Sequence, residues 1–182
     1  MAAKTLMMTT LVAVVSILLI CMSGSVSAHT HKTHNVTFFF QESILVPNPT
    51  GLVVAGPGGD LSKLQQGVIV VVDNVITQTA DPNSKPLGKF QAQYVLDGSI
   101  KYRVQATVII DFPGDLVETT YEILGQRTSF NSTDDRTLAV VAGTGFFFGQ
   151  HGYAVAHTVS QKLFGTNGAQ INVQKWTLVV GK

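Results

Sequence analysis

"IKYRVQATVII", Ile100 to Ile110, is the stretch that decides the fold. Ile100, Tyr102, Val104, Ala106, Val108 and Ile110 are apolar, and Lys101, Arg103, Gln105 and Thr107 alternate with them. A period of two is the signature of a strand with one face in a core and the other in water. The flanking segments keep the rhythm. In "KFQAQYVL", Phe90, Ala92, Tyr94 and Leu96 alternate with Lys89, Gln91 and Gln93. In "DLVETTYEIL", Val117, Tyr121 and Ile123 oppose Glu118, Thr120 and Glu122. Asp97-Gly98 and Pro113-Gly114 stand between these runs, where tight turns need such residues, so the three form a meander.

Further out, "NVTFFFQESIL", "GVIVVVDNVIT", "RTLAVVAGTGFFF", "YAVAHTV" and "AQINVQKWTLVV" also read as strands, separated by "PNPTG", "GPGGD", "ADPNSKPLG" and "FGTNG". No segment carries a helical stripe of useful length. About eight short-linked antiparallel strands must close their edges, as a barrel or as a sandwich. The expectation is a single all-β domain over residues 35–182, with 29–34 as a disordered N-terminal tail.

The first 28 residues stand apart. Lys4, the apolar run "LVAVVSILLIC" and the small residues of "SVSA" ending at Ala28 predict a cleaved secretory signal, hence an extracellular protein. The only cysteine, Cys21, lies within that signal, so the mature domain must rest on its core and on subunit contacts rather than on disulfides. Without Lys4 the basic residues equal the 11 acidic ones, a balance that predicts neither a nucleic-acid nor a membrane partner. Asn35 in "NVT" and Asn131 in "NST" are glycosylation sequons, whereas Pro49 disqualifies Asn48.

Most familiar chemistries find no footing. "GPGGD" lacks the Lys-Ser/Thr of a phosphate loop, and "GTGFFFG" lacks dinucleotide spacing and a following helix. No Gly-x-Ser-x-Gly elbow or mature cysteine offers a nucleophile. His29, His31 and the new amino terminus form a conceivable copper(II) set, against the plainer reading of a tail. His157 has the parity of a surface residue as readily as of a pocket one. Glu42 and Asp73 stand out, because each follows an apolar strand run. A carboxyl desolvated there becomes usable as a general acid.

Several stretches together resemble the dirigent proteins, secreted plant barrels that steer phenoxy-radical coupling. "FFFQESI" is similar to the family's aromatic run with His-Asp-Ile, and "NPT" at Asn48 to Thr50 follows it. "VVVDNVIT", Val70 to Thr77, is similar to Val-Val-(Ile/Val)-Asp-Asp-Pro-Leu-Thr, and "ILGQ" to the strand before the sequon loop. "VVAGTG", "GYA" and the closing "INVQKWTLVV" complete a likeness running from about residue 34 to 180. The resemblance implies an eight-stranded antiparallel up-and-down β-barrel of the allene-oxide-cyclase-like type, assembled as a homo-oligomer, a trimer or else a dimer. It implies an apolar pocket within each barrel and no cofactor. An external laccase or peroxidase supplies the radicals of a phenolic substrate, and the barrel orients them, with acid-assisted cyclisation in some members.

The departures shape the site. Gln41 and Glu42 replace the family's His-Asp, and Asn74 replaces the second acid beside Asp73. Phe146 stands where lignan-forming members have Asp, and His151 where they have Arg, which counts against pinoresinol formation. Carried over by position, the expected catalytic residues are Glu42, Asp73 and His151, with Phe146 and Tyr102 lining the substrate pocket. Strand alternation puts Phe146 and Phe148 on one face and Phe147 on the other, so His151 reaches the pocket only if a bulge near Gly149 resets the register. The rival readings are a non-catalytic barrel binding a small hydrophobic ligand or carbohydrate in defence, and, disfavoured by the secretory signal, an allene oxide cyclase.

Overall fold

The computed structural model describes residues 32–97, 101–111, 119–128, 134–166 and 169–181. The signal segment, the His29–His31 stretch and the Asn131 sequon lie outside them. Nine strands follow in order: β1 (His34–Ile44), β2 (Gly51–Ala55), β3 (Ile69–Thr77), β4 (Pro86–Asp97), β5 (Lys101–Ile110), β6 (Thr119–Thr128), β7 (Arg136–Gly143), β8 (His151–Phe164) and β9 (Ala169–Gly181). Each pairs with the next, and β1 closes the ring onto β9 over eleven residues from His34↔Val180 to Ile44↔Gln170.

Within β5 the alternation is realised as read: Tyr102, Val104, Ala106 and Val108 are buried while Lys101, Arg103 and Gln105 face water. The turn residues Gly98, Pro113 and Gly114 and the strand residues Ile100, Val117 and Glu118 lie outside the described residues. Closure turns every inward face into a common core. Small side chains make room for large ones across it, as where Ala156 on β8 lies opposite Trp176 on β9.

The expected eight strands become nine because one wall of the barrel is split. The part of β3 near Thr77 pairs with β1, through Phe39↔Thr77 and Phe40↔Ile76. The part near Ile69 pairs instead with β2, from Gly51↔Val72 to Ala55↔Ile69. Beyond Phe40, β1 stays with β9 and leaves β3, and β2, running parallel to β1, takes over. The turn between them uses Asn48 at φ 54, a left-handed conformation that asparagine tolerates. Ser43 and Thr50 stitch it, each backbone N–H donating to the other's hydroxyl at 3.0 and 2.9 Å. Residues 73–75 of β3 therefore sit at a seam between two ladders, with the Asp73 N–H reaching Thr50 O at 3.0 Å.

Candidate binding site in the barrel interior

The interior has three tiers. At its middle is an aromatic belt. Phe40 stacks on Phe90 with centroids 4.6 Å apart, and Trp176 meets Phe90 at 5.0 Å and Phe38 at 6.5 Å. These rings are buried, and offset or tilted pairs of this kind suit the quadrupoles of aromatic rings.

The end of the barrel beside Gly143 is closed by the glycine-rich segment, which departs from its strand-like reading. Strand β7 stops at Gly143, and Gly145–Phe147 form a 3-10 turn, pinned by Phe147 N–H to Thr144 O and Gln150 N–H to Phe147 O, both 2.9 Å. Phe147 turns inward and stacks on Tyr121 at 4.2 Å. The Tyr121 hydroxyl donates to Gln150 Oε1 at 2.7 Å, and His34 Nε2 lies 2.9 Å from the same oxygen. Burial raises the Tyr121 pKa, so this phenol remains a proton donor through the neutral range. A Cβ on Gly143 would collide with Phe147 O and Phe147 Cβ. Gly143→Ala is expected to destabilise the fold by about 1–3 kcal/mol. It should also change the near-UV circular dichroism of the Tyr121–Phe147 stack, and an unchanged melt and spectrum would show the turn is not wedged there.

The opposite end is polar. Glu42 is fully buried, and the Tyr94 hydroxyl donates to its Oε2 at 2.6 Å. Tyr102 meets Tyr94 edge-on at 5.3 Å. Asn172 is the cross-strand partner of Glu42 on β9, and Gln170 and Gln174 flank it on the same inward face. Arg136 is buried at the start of β7, its Nη2 donating to Thr158 Oγ1 at 2.7 Å and its Nε to Ala156 O at 3.3 Å. One carboxyl, two phenols, four amides counting Asn74, and a guanidinium thus border the aromatic belt. Such a set can hold the oxygenated end of an aromatic molecule and move a proton.

The structure gathers only some of the expected site residues. Glu42 and Tyr102 belong to the polar tier. Asp73 does not: it points outward from β3, its side chain 53% exposed, and pairs with Lys89 Nζ at 3.3 Å. Its neighbour Asn74 takes the inward position, because Val70 and Val72 fix the parity of that strand. Phe146 is 64% exposed and so is not a pocket wall; the 3-10 turn breaks the strand geometry and sends Phe147 inward instead. His151 is exposed at the first residue of β8. The register reset that would turn it inward is absent at Gly149. One falls earlier, between the Glu122 and Ile123 pairings and therefore at Val141, and another falls later, near Val159. His157 is on the surface, with Nδ1 2.8 Å from Asp135 Oδ1. Asn35 is exposed on β1. Asn74, Tyr94, Arg136, Phe147 and Asn172 went unnamed as site residues, although parity with Val72, Leu96, Leu138 and Trp176 marks four of them.

The family model for dirigent-like proteins matches residues 33–176. Dirigent protein 23 of Arabidopsis thaliana is 33% identical over 131 residues, covering 70% of this chain and 68% of that protein. Pterocarpan synthase 1 of Glycine max is 31% identical, over 68% of this chain and 67% of its own. A solved pterocarpan synthase dirigent protein superposes with a TM-score of 0.68 at 26% identity, over 82% of this chain and 95% of that one. Sequence and closed barrel agree: the chain belongs to the dirigent family.

Proposed function

We propose that this dirigent protein binds phenylpropanoid-derived phenolics inside its barrel and governs the stereochemistry of a ring closure or a radical coupling. The observation that carries the reading is the fully buried Glu42 carboxyl, held by Tyr94 at the edge of an aromatic belt. The belt suits aromatic rings, and the carboxyl suits a quinone methide. Glu42 gives its proton to the quinone-methide carbonyl oxygen while a hydroxyl of the same molecule attacks the exocyclic carbon. The carbon–oxygen bond forms, the ring rearomatises, and the attacking hydroxyl's proton returns to Glu42. This isomerisation needs no oxidant. Radical coupling does need one, and an external laccase or peroxidase fills that role while the barrel supplies orientation. Two curated relatives are named pterocarpan synthases, which favours ring closure over coupling alone. The leader pattern of residues 1–28 supports secretion, and the sequons at Asn35 and Asn131 support its glycosylation.

The test is to oxidise coniferyl alcohol with laccase, and separately to supply a preformed quinone methide bearing a pendant hydroxyl, each with and without the protein. Products are resolved on a chiral column. Enantiomeric excess in the second reaction alone supports acid-assisted cyclisation, and excess in the first supports radical steering. Racemic products in both, with ligand still bound, favour a non-catalytic binding barrel.

A further inference from the structure

Asn74 carries a feature that the proton chemistry of Glu42 does not use. It is 1% exposed, and both its Oδ1 and its Nδ2 lack a hydrogen-bond partner among the described residues. Two buried amide atoms left unspent are unusual, since such groups normally find partners. The position explains how they remain open. Asn74 lies on β3 at the seam, two residues from the last β1 pairing at Ile76 and two from the first β2 pairing at Val72. Continuing the Phe40↔Ile76 register by two residues brings Asn74 level with Glu42, at the place where β1 leaves β3. On its other side, Asn74 pairs with Phe90, a ring of the aromatic belt. Close by on β9, Asn172 Oδ1 and Gln170 Nε2 are likewise buried without partners.

We infer that Asn74 is a specificity-determining residue of the barrel interior, reading a ligand group with a hydroxyl and a second oxygen on adjacent carbons of an aromatic ring. The inference rests on the interior being the ligand site. The ligand hydroxyl donates to Oδ1, its neighbouring ether or hydroxyl oxygen accepts from Nδ2–H, and the ring lies against Phe90. An aspartate here would be acceptor-only when ionised and could not make the second contact. The amide therefore selects neutral, vicinally dioxygenated rings. Apolar or singly oxygenated rings are disfavoured because they leave it unsatisfied.

Trp176 belongs to the belt and is the only tryptophan, so its emission reports entry of a ring into the interior. The purified protein is titrated with 2-methoxyphenol, phenol and 1,2-dimethoxybenzene. The expected result is that 2-methoxyphenol binds about tenfold more tightly than either analogue, the ratio set by one buried hydrogen bond lost. Asn74→Leu should bring all three affinities together and leave the melting temperature of the free protein unchanged or higher, because it removes two unsatisfied atoms. Asn74→Asp should gain a preference for phenol over 1,2-dimethoxybenzene and lose that for 2-methoxyphenol over phenol. Persistence of the wild-type ranking in both variants overturns the inference. So does a lowered melting temperature in Asn74→Leu together with an unaltered ranking in Asn74→Asp, which makes the amide structural. If all three probes bind without a ranking, this inference alone falls. If none perturbs Trp176, the reading of the interior as the ligand site falls with it.

Discussion

Glu42→Gln is expected to slow the ring closure of a bound quinone methide by at least about 100-fold, the usual contribution of a placed general acid. The substitution keeps the shape and one carbonyl acceptor for the Tyr94 hydroxyl, which lies 2.6 Å from Oε2 in the native side chain. It removes the transferable proton. Binding should therefore hardly change, and the loss should appear in turnover with KM nearly constant, the mark of an interaction made in the transition state. Tyr94→Phe separates positioning from chemistry. Without its hydrogen bond the carboxyl is still present but is held less firmly, so turnover should fall less than in Glu42→Gln and the enantiomeric excess should fall with it. A Glu42→Gln variant with native turnover and native enantiomeric excess would mean that the barrel acts by orientation alone.

How much of this was legible in the sequence depends on whether backbone periodicity or local chain reversal places the residue. Tyr102 could be placed on the inner face from "IKYRVQATVII" alone, because ten consecutive residues of unbroken ladder keep the parity that the apolar residues set. The same rule properly applied puts Asn74, not Asp73, inside, since Val70 and Val72 are the inward residues of β3. The acid drew attention by its charge and by the family pattern, yet it sits on the wet face beside Lys89. Glu42 passed both tests, lying in step with Phe38 and Phe40. The triplet Phe146, Phe147 and Phe148 could not be oriented by alternation, because the chain leaves the ladder at Gly143 and folds back on itself. What turns Phe147 inward is the Tyr121 ring waiting on β6, a contact between residues distant in sequence that no local pattern encodes. The split wall was hidden for a similar reason. "GLVVA" is too short and too uniformly apolar to announce which neighbour it pairs with, and that choice is made by β1 leaving β3 after Phe40.

The largest effect on stability should come from Trp176. Its indole is fully buried among Phe38, Phe40 and Phe90, and its Nε1–H donates to Gln174 Oε1 at 3.2 Å. Trp176→Ala is expected to cost about 3–5 kcal/mol, as for other large aromatic truncations in packed interiors. Set against a typical domain stability of roughly 5–15 kcal/mol, that is a substantial fraction of the whole. The denaturant midpoint should fall at constant slope, followed by far-UV circular dichroism because the variant has no tryptophan left to report. The register identifies a partner through which to test the cause. Ala156 faces Trp176 directly across β8 and β9, and its single methyl is what leaves room for the indole. Ala156→Leu alone should therefore overpack the belt and cost about 1–3 kcal/mol. Combined with Trp176→Ala, the same leucine should recover part of the loss, because the cavity left by the indole accepts it. The coupling energy of this cycle should then be about 1 kcal/mol or more in the stabilising direction. Strict additivity would show that the two positions do not share a packing space, and that β8 and β9 are not held in the register that closes the barrel around its aromatic belt.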